Sequence, residues 1–336
     1  PGGLAVRAHL TCTFAASKPG LHTGAGCVHA GEVRVVDLGA ALPADIAREA
    51  KVVLSAYHPP ARRRVDAHKG DAGRVLVVAG SPGRTGAALL AARGAHRGGA
   101  GLVTIASRVA SSLDLRVVET MTVVVADDAF AVAPSLMASL ESADAVAVGP
   151  GLGLDDHAAA ALDATFRHAR GPVVVDADGL TLLARGRAAT GRSRCVLTPH
   201  PLELARLLGY EGADASVRVQ ADRLGAAREV ARRHGATVVL KGAGTIVAFP
   251  AGRCAVMPYA DPALGVAGAA LAHLGRSDEA REEGRRFLAL VEREWSGERP
   301  GGPEGYGEWL LHSTPLPDPR DLEHLRLGLR GAGLPV

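Results

Sequence analysis

The chain has 336 residues, of which 47% are hydrophobic and only 3% are aromatic, and its 38 basic and 35 acidic residues give a formal charge of +3. This length predicts one domain of roughly 200 to 250 residues with flanking segments. Because the charges form no basic block and are not interleaved with aromatic residues, nucleic acid is not an expected partner.

The chain contains neither an uninterrupted apolar run of about 18 residues nor a basic-then-apolar leader, so we expect no membrane association. It begins at Pro1 rather than at methionine, as a fragment or a processed product does. The cysteines are far apart and lack CxxC spacing, which predicts neither a disulfide framework nor a zinc site and favours a reducing cytoplasm. They are Cys12, Cys27, Cys195 and Cys254.

Apolar segments between residues 74 and 242 predict strands, and most are continuous runs of valine, leucine and isoleucine. Such runs are typical of strands buried on both faces of a parallel sheet. Helical segments at 85–98, 156–170 and 218–234 lie between them. The alternation predicts an α/β fold, with a doubly wound, mostly parallel sheet and helices on both faces. The predicted strands are 74–80, 101–107, 122–126, 144–149, 172–177, 194–198 and 236–242.

Five of these strands are followed by glycine or polar residues, and ligands of a doubly wound sheet bind beyond the carboxyl ends of its strands. The residues after the five strands therefore predict one site at that edge. In chain order they are Gly80, Gly83 and Gly86; Gly149, Gly151 and Gly153; Asp176 and Asp178; Thr198, His200 and Glu203; and Lys241, Gly242 and Thr245.

Simpler interpretations of these residues remain open at this point. A glycine pair after a strand also forms an ordinary tight turn. Asp176 and Asp178 can cap a helix that starts near Gly179. His200 can be a loop residue between two prolines, and Glu203 can favour its helix N-terminus.

Two clusters of small residues surround the first predicted helix. Either can cradle a phosphate at a helix start or pack a helix closely on the sheet. We interpret residues 86–88 as a place where a dinucleotide approaches the backbone, and the cluster at 98–101 as packing.

Five motifs, in order, resemble the ADP/ATP-dependent NAD(P)H-hydrate dehydratase family, which has the ribokinase-like fold. The resemblance covers about residues 50–268. The motifs are HKGDAGRVLVVAGSPGRTGAALLAARGAHRGGAGLVTIA, AVGPGLG, VVDADGLTLLA, LTPHPLELARLLG and GATVVLKGAGTIVAFPAG.

The resemblance implies a nicotinamide nucleotide repair enzyme, a hydro-lyase that uses ADP or ATP with Mg²⁺ to remove water from hydrated NADH or NADPH. It also implies a homo-oligomer, often a tetramer, and no metal site formed by the protein alone. The residues that match the substrate side are Ala87, Gly149, Gly151, Gly153 and His200. Those that match the nucleotide side are Lys241, Gly242, Ala243, Gly244, Thr245 and Gly268.

The family's catalytic base is implied to be an aspartate that directly follows a glycine turn. This chain retains Gly265 and Gly268 in "YADPALGVAGAALAHLG", but no aspartate follows. Asp261 is the close candidate for a replacement, and we expect slow turnover. Thr181 also stands where the family usually has asparagine, and it keeps a hydrogen-bonding oxygen.

The ends of the chain lie outside the dehydratase motifs. Residues 1–49 resemble the tail of an NAD(P)H-hydrate epimerase domain with a linker, so epimerase activity is not expected. Residues 50–275 form the dehydratase-like domain, shortened at its C-terminal part. Residues 276–336 combine a charged helical segment with a Pro/Gly-rich tail and have no assigned role.

Two alternatives to a working dehydratase remain at the level of sequence. One is a non-catalytic nucleotide-binding protein or decayed homologue, and the other is a small-molecule kinase of the ribokinase group. The "TPHPLE" motif at 198–203 favours the dehydratases over the kinases.

Overall fold

The apolar runs of the sequence lie side by side in one large sheet. The structure is a computed structural model that describes residues 5–39, 52–54, 66–125, 134–190 and 194–257. The strands in this part of the chain are β1 Leu10–Phe14, β2 Glu32–Val36, β3 Val52–Leu54, β4 Arg74–Val78, β5 Leu102–Ser107, β6 Met121–Val124, β7 Ala145–Val148, β8 Val173–Val175, β9 Cys195–Leu197, β10 Thr237–Leu240, β11 Ile246–Ala248 and β12 Cys254–Val256.

Helices connect most of these strands. Within the described residues they are α1 Gly26–His29, α2 Thr85–Arg97, α3 Ala110–Asp114, α4 Pro134–Ser142, α5 Asp156–His168, α6 Asp178–Ala184, α7 Pro201–Leu207, α8 Ala215–Ala221 and α9 Arg223–His234. A single 3₁₀ turn, Pro19–Leu21, precedes α1.

The large sheet has ten strands in the order β3-β12-β11-β10-β9-β8-β7-β4-β5-β6. Every neighbouring pair is parallel except the two pairs that involve β11. In the centre, Val77 of β4 pairs with Ile105 of β5 and with Ala147 of β7. Strands β1 and β2 form a separate parallel pair. The predicted mostly parallel α/β fold is confirmed.

Apolar side chains are buried on both faces of the sheet, as the doubly wound arrangement requires. On one face, Ala88 and Ala92 of α2 pack with the β-strand residues Val77 and Ile105. The larger cluster on the other face includes Leu162 of α5 and residues of β7 to β12. Alanine-rich helices let the layers approach closely, which compensates for the scarcity of aromatic residues.

The structure corrects several predicted boundaries. The predicted helix 218–234 is wrong, because Asp222 leaves the helical conformation (φ −141°, ψ 74°) and separates α8 from α9. The side chain of Asp222 accepts a hydrogen bond from the Gly225 amide, so it starts a new helix rather than continuing the old one. Each predicted strand is present but one to three residues shorter, and β6 starts one residue before its predicted start at 122.

The structure bears on both clusters of small residues. It agrees with the predicted packing role of the cluster at 98–101, but not with the interpretation of the whole run 86–88. A Cβ atom on Gly101 would overlap the Lys69 carbonyl oxygen, which confirms close packing there. Ala88 is fully buried, and a Cβ on Gly80 would lie 3.2 Å from it. Ala88 therefore packs against the sheet, and the interpretation of 86–88 as a ligand-facing run is wrong at this residue.

No helix within the described ranges is long and apolar enough to cross a membrane.

Candidate functional site

Five adjacent parallel strands end at the same edge of the sheet. Their order is β10-β9-β8-β7-β4, and their exit loops contain the residues predicted for the site. The crossovers thus bring together segments that are distant in sequence. The contacts among these loops define what the edge can bind.

Lys241 connects three of the exit loops. Its ammonium group donates a hydrogen bond to Asp176 Oδ1 at 2.8 Å and lies 3.9 Å from Glu203 Oε2. Its backbone amide donates to the Pro199 carbonyl oxygen at 2.9 Å. Because 43% of the side chain is exposed, the ammonium group is anchored and still accessible to an incoming anion.

The loop after Lys241 turns sharply. Gly242 has φ +124° and Gly244 has φ +63°, conformations that L side chains rarely adopt. Gly242 and Ala243 are exposed, whereas Gly244 is buried, and a Cβ on Gly244 would overlap the His22 carbonyl oxygen. The hydroxyl group of Thr245 closes the turn by donating to the Gly242 carbonyl oxygen at 2.7 Å. The open face of the loop therefore belongs to Gly242 and Ala243.

The glycine loop after β7 is packed against its neighbours. A Cβ on Gly149 would overlap the Asp176 carbonyl oxygen, and one on Gly151 would lie 3.1 Å from the Cβ of Ala87. The amide of Gly153 donates to Asp178 Oδ2 at 2.9 Å. These contacts give the glycines a packing role within the protein and bring Ala87 next to Gly151, as predicted for one site.

His200 is the N-cap of α7. Its Nδ1 atom accepts hydrogen bonds from the amides of Leu202 and Glu203 at 3.1 and 3.3 Å, and Glu203 Oε2 accepts one from the His200 amide at 2.8 Å. This reciprocal pair is a capping box, with Pro201 at the first helical position. The sequence left open whether His200 is a loop residue and whether Glu203 favours its helix N-terminus. In the structure, the two residues cap α7 together.

The cap also fixes the protonation of His200. Burial lowers the pKa of the imidazole, as do the nearby Lys241 and Arg206, while Glu203 and Asp176 raise it. Because Nδ1 accepts two backbone hydrogen bonds, the ring proton lies on Nε2, which is 3.5 Å from Glu203 Oε1. Nearly half of the side chain is exposed, so Nε2–H can donate to a ligand.

The aspartates after β8 do not cap their helix as the simpler interpretation suggests. The N-cap position of α6 is Ala177, which has φ +49° and makes no side-chain cap, while Asp178 is the first residue of the helix. Asp176 binds Lys241, and Asp178 binds Arg84 Nη1 at 2.9 Å. Both carboxylates therefore tie loops together at the site.

Sequence reasoning missed the arginines at this edge. Arg84 pairs with Asp178, and Arg108 donates to Asp155 Oδ2 at 2.8 Å and to the Leu152 carbonyl oxygen at 3.4 Å. The two ion pairs join residues that are 94 and 47 positions apart, and no local pattern marks such pairs. The predicted residues Asp261 and Gly268 lie outside the described residues.

Comparisons with known proteins show the family of the chain. A family model described as NAD(P)H-hydrate dehydratase matches residues 75–270, more than half of the chain. The chain belongs to the NAD(P)H-hydrate dehydratase family. The match covers all five exit loops and extends past the end of the described residues.

Curated relatives of this dehydratase family member carry repair-enzyme names. The bifunctional NAD(P)H-hydrate repair enzyme Nnr of Moorella thermoacetica is 38% identical in an alignment 284 residues long. The alignment covers 79% of this chain and 52% of the relative. The Nnr protein of Escherichia coli is 38% identical over 257 residues, 73% of this chain and 46% of the relative. The chain spans about half the length of the curated relatives that it matches.

Solved structures show the same fold. The ADP/ATP-dependent NAD(P)H-hydrate dehydratase from Bacillus subtilis, co-crystallised with ATP and Mg²⁺, is 27% identical with a TM-score of 0.52, over 80% of this chain and 92% of that one. A ribokinase-like superfamily protein from Enterococcus faecalis is 22% identical with a TM-score of 0.54, over 81% of this chain and 91% of that one. The ribokinase-like fold is therefore shared.

Proposed function

We propose that this chain removes water from hydrated NADH or NADPH in a reaction driven by ADP or ATP. The observation that carries the proposal is the meeting of Lys241, Asp176 and the His200–Glu203 cap at one sheet edge, in a member of the NAD(P)H-hydrate dehydratase family. The Bacillus subtilis dehydratase was co-crystallised with ATP and Mg²⁺, which supports the choice of co-substrate. The family match favours this function over a small-molecule kinase.

The chemistry explains why a nucleotide is needed to remove a hydroxyl group. A secondary hydroxyl is a poor leaving group, but transfer of a phosphoryl group to its oxygen, with loss of the hydroxyl proton to a base, gives a phosphate ester. The C–O bond then breaks, and phosphate leaves with the bonding electron pair. The nucleotide is left one phosphate shorter, as ADP from ATP or AMP from ADP. Loss of a proton from the adjacent carbon forms the double bond, so the reduced nicotinamide ring, the shortened nucleotide and inorganic phosphate are the products.

We assign the nucleotide to the Lys241 loop. The ammonium group of the partly exposed Lys241 side chain attracts the phosphates, and Gly242 and Ala243 of the same loop are exposed, so their amides are available as donors. Thr245 and the buried Gly244 hold the turn in shape. We also assign Gly268 to the nucleotide-binding residues, because it matches the family motif.

We assign the hydrated dinucleotide to the neighbouring loops of β4, β7 and β9. His200 offers Nε2–H as a hydrogen-bond donor, because its Nδ1 is occupied by the cap. Ala87 and Gly151 are in contact and partly exposed, so we assign them to the surface that the dinucleotide approaches. Gly149 and Gly153 are buried and act by holding that surface in place.

Mg²⁺, when bound, would neutralise part of the nucleotide's phosphate charge. In the described part of the chain, no group of three or more histidine, cysteine, aspartate or glutamate side chains is arranged to hold a metal ion. A magnesium ion that arrives with phosphates needs only one or two carboxylates, because waters and phosphate oxygens fill the other positions. Asp176 and Asp178 lie at this edge, and a magnesium ion bound there would share them with their present partners, Lys241 and Arg84.

We also propose three regions, with boundaries near residues 50 and 275. The family match, which covers residues 75–270, supports a dehydratase-like region between these two boundaries. We place the protein in the cytoplasm, consistent with the free state of its four cysteines.

We propose a homo-oligomer, a tetramer by family resemblance. Light scattering after size-exclusion chromatography would measure its mass.

A dehydration assay tests the proposed function. Hydrated NADH or NADPH would be incubated with the protein, ADP or ATP and Mg²⁺, and the recovery of reduced-nicotinamide absorbance followed. We expect recovery that requires nucleotide and is lost in Lys241→Ala. Absorbance that stays flat at high enzyme concentration, in a protein that still binds the hydrate and ADP, would favour the non-catalytic homologue instead.

A further inference from the structure

Arg223 is a buried cation directly beneath the Lys241 loop. It is the first residue of α9, and only 4% of it is exposed. Its Nη2 atom donates to the carbonyl oxygens of Lys241 at 3.3 Å and Leu240 at 3.5 Å, and its Nη1 atom donates to Gln220 Oε1 at 2.9 Å. The guanidinium also faces Gly242, where an added Cβ would lie 3.5 Å from both Nη atoms.

The positive charge of Arg223 has no carboxylate partner within the described residues. Its Nε atom is buried without a hydrogen-bond acceptor in that part of the chain. The Cys27 thiol is the titratable group near Arg223, and it would offset the positive charge only as a thiolate. Burial raises the pKa of this thiol, so it is neutral at pH 7. Burying an unpaired charge is unfavourable, and an anion at the loop would offset that cost.

We propose that Arg223 is a positioning residue that holds the loop Lys241–Thr245 in its anion-binding shape and adds buried positive charge beneath it. The proposal rests on the assignment of the nucleotide to this loop. The guanidinium fixes the carbonyl groups of Leu240 and Lys241. The N–H of Gly242 lies opposite the Lys241 carbonyl in the same trans peptide plane, so it points away from Arg223. A phosphate bound there would be attracted both by the ammonium group of Lys241 and by the buried positive charge of Arg223.

The chemistry of arginine explains why this residue type suits the position. A planar fork binds two successive carbonyl oxygens and a side-chain amide at once, whereas the single ammonium group of lysine cannot match that geometry. Arg223→Lys therefore keeps the charge but loosens the loop. Arg223→Met removes both the charge and the hydrogen bonds.

Two measurements on the full chain test the proposal. Hydrogen exchange of peptides that cover residues 240–246 in the ligand-free protein reports the loop, and calorimetric titration with ADP reports binding. The matched control is Arg232→Met on the same helix, because Arg232 is 69% exposed and pairs with Glu229. We expect faster exchange of the loop and about tenfold to a hundredfold weaker ADP binding in Arg223→Met, with Arg223→Lys in between and Arg232→Met unchanged.

Loop exchange and ADP affinity in Arg223→Met that equal those of Arg232→Met would overturn the proposal. So would faster exchange with unchanged affinity, because the loop would then not depend on Arg223 for anion binding. If Arg223→Met does not fold, Arg223→Lys with wild-type exchange and affinity also overturns it. A wild-type protein that binds no ADP contradicts the assigned nucleotide site instead, and the exchange experiment still decides whether Arg223 holds the loop.

Discussion

At the scale of single residues, Lys241 is the side chain on which nucleotide binding most directly depends. Its ammonium group is held by Asp176, and 43% of the side chain remains exposed. We expect ADP to stabilise the wild-type protein by about 2.7 kcal/mol at a hundredfold excess over the Kd, and Lys241→Ala to lose most of this stabilisation. Thermal unfolding with and without ADP measures both values.

Lys69→Ala is the matched control for this prediction, because Lys69 is exposed and precedes β4, at the edge of the sheet opposite the exit loops. Its shift with ADP should equal that of the wild type. A shift of zero at millimolar nucleotide in both wild type and Lys241→Ala would contradict the assigned nucleotide site.

The lowered pKa of His200 predicts a pH dependence of stability. Unfolded histidine titrates near about 6.5, so in the range between this value and the lower folded pKa the unfolded chain binds more protons. The free energy of unfolding should therefore fall as the pH drops from about 7 through the folded pKa, and then level off. His200→Asn keeps a capping oxygen but cannot titrate, so it should lose less stability over this range.

Urea denaturation of both proteins at several pH values between about 7 and 5 measures this difference. Some pH dependence will remain in His200→Asn, because burial also lowers the pKa of His22 and His234. Identical pH profiles would mean that the cap tolerates a protonated ring.

Which site residues could be predicted depends on whether their partners are local. Lys241, His200 and the glycines follow strands directly, so their positions at the edge follow from the parallel sheet alone. Arg84 and Arg223 act through contacts across the fold, and the two carbonyl acceptors of Arg223 belong to a different strand and loop. Charge composition shows that such residues exist but not where they bind.

At the scale of elements, two helix starts give a matched test of capping. Asp222 is the N-cap of α9 and accepts from the Gly225 amide at 2.9 Å, whereas Asp214 is the N-cap of α8 and makes no such bond. Asp222→Ala should lower the free energy of unfolding by about 1 kcal/mol, and Asp214→Ala should have a much smaller effect. Urea denaturation measures both, and equal losses would show that the break between the helices does not depend on the cap.

The same break shows where the element prediction failed. Residues 218–234 are mostly helix-forming and contain no proline, so propensity alone predicts one helix despite Asp222 and Gly225. The structure interrupts it because Asp222 caps the second segment and the buried Arg223 side chain points to the carbonyl oxygens of Leu240 and Lys241. Strand positions were predictable because continuous valine runs are typical of strands that are buried on both faces of a parallel sheet.

At the scale of the whole molecule, the fold was predictable from the alternation of strands and helices, but the order of the strands was not. The sequence does not state that β7 pairs with β4 while β8, β9 and β10 continue outward from it. That order decides which exit loops meet, and so it decides that Lys241 reaches Asp176 and Glu203. Local patterns could predict the members of the site, whereas the pairing among them required the structure.

The last prediction concerns turnover by the full chain, which depends on a base beside the reacting hydroxyl group. The carboxylates described at the site are already engaged: Asp176 binds Lys241, Asp178 binds Arg84, and Glu203 completes the cap of α7. No aspartate directly follows Gly268. Loss of a positioned base costs about a hundredfold to ten-thousandfold in rate, so we expect dehydration at least about a thousandfold slower than in a family member with the Gly-Asp turn.

Single-turnover dehydration rates of three proteins test this expectation: the present chain, Asp261→Asn, and a variant with a family-like Gly-Asp turn inserted after Gly268. The inserted turn should restore activity, because it supplies both a carboxylate and helix N–H donors for phosphate. Asp261→Asn should change little. Near-normal turnover of the present chain that disappears in Asp261→Asn would instead identify Asp261 as the base.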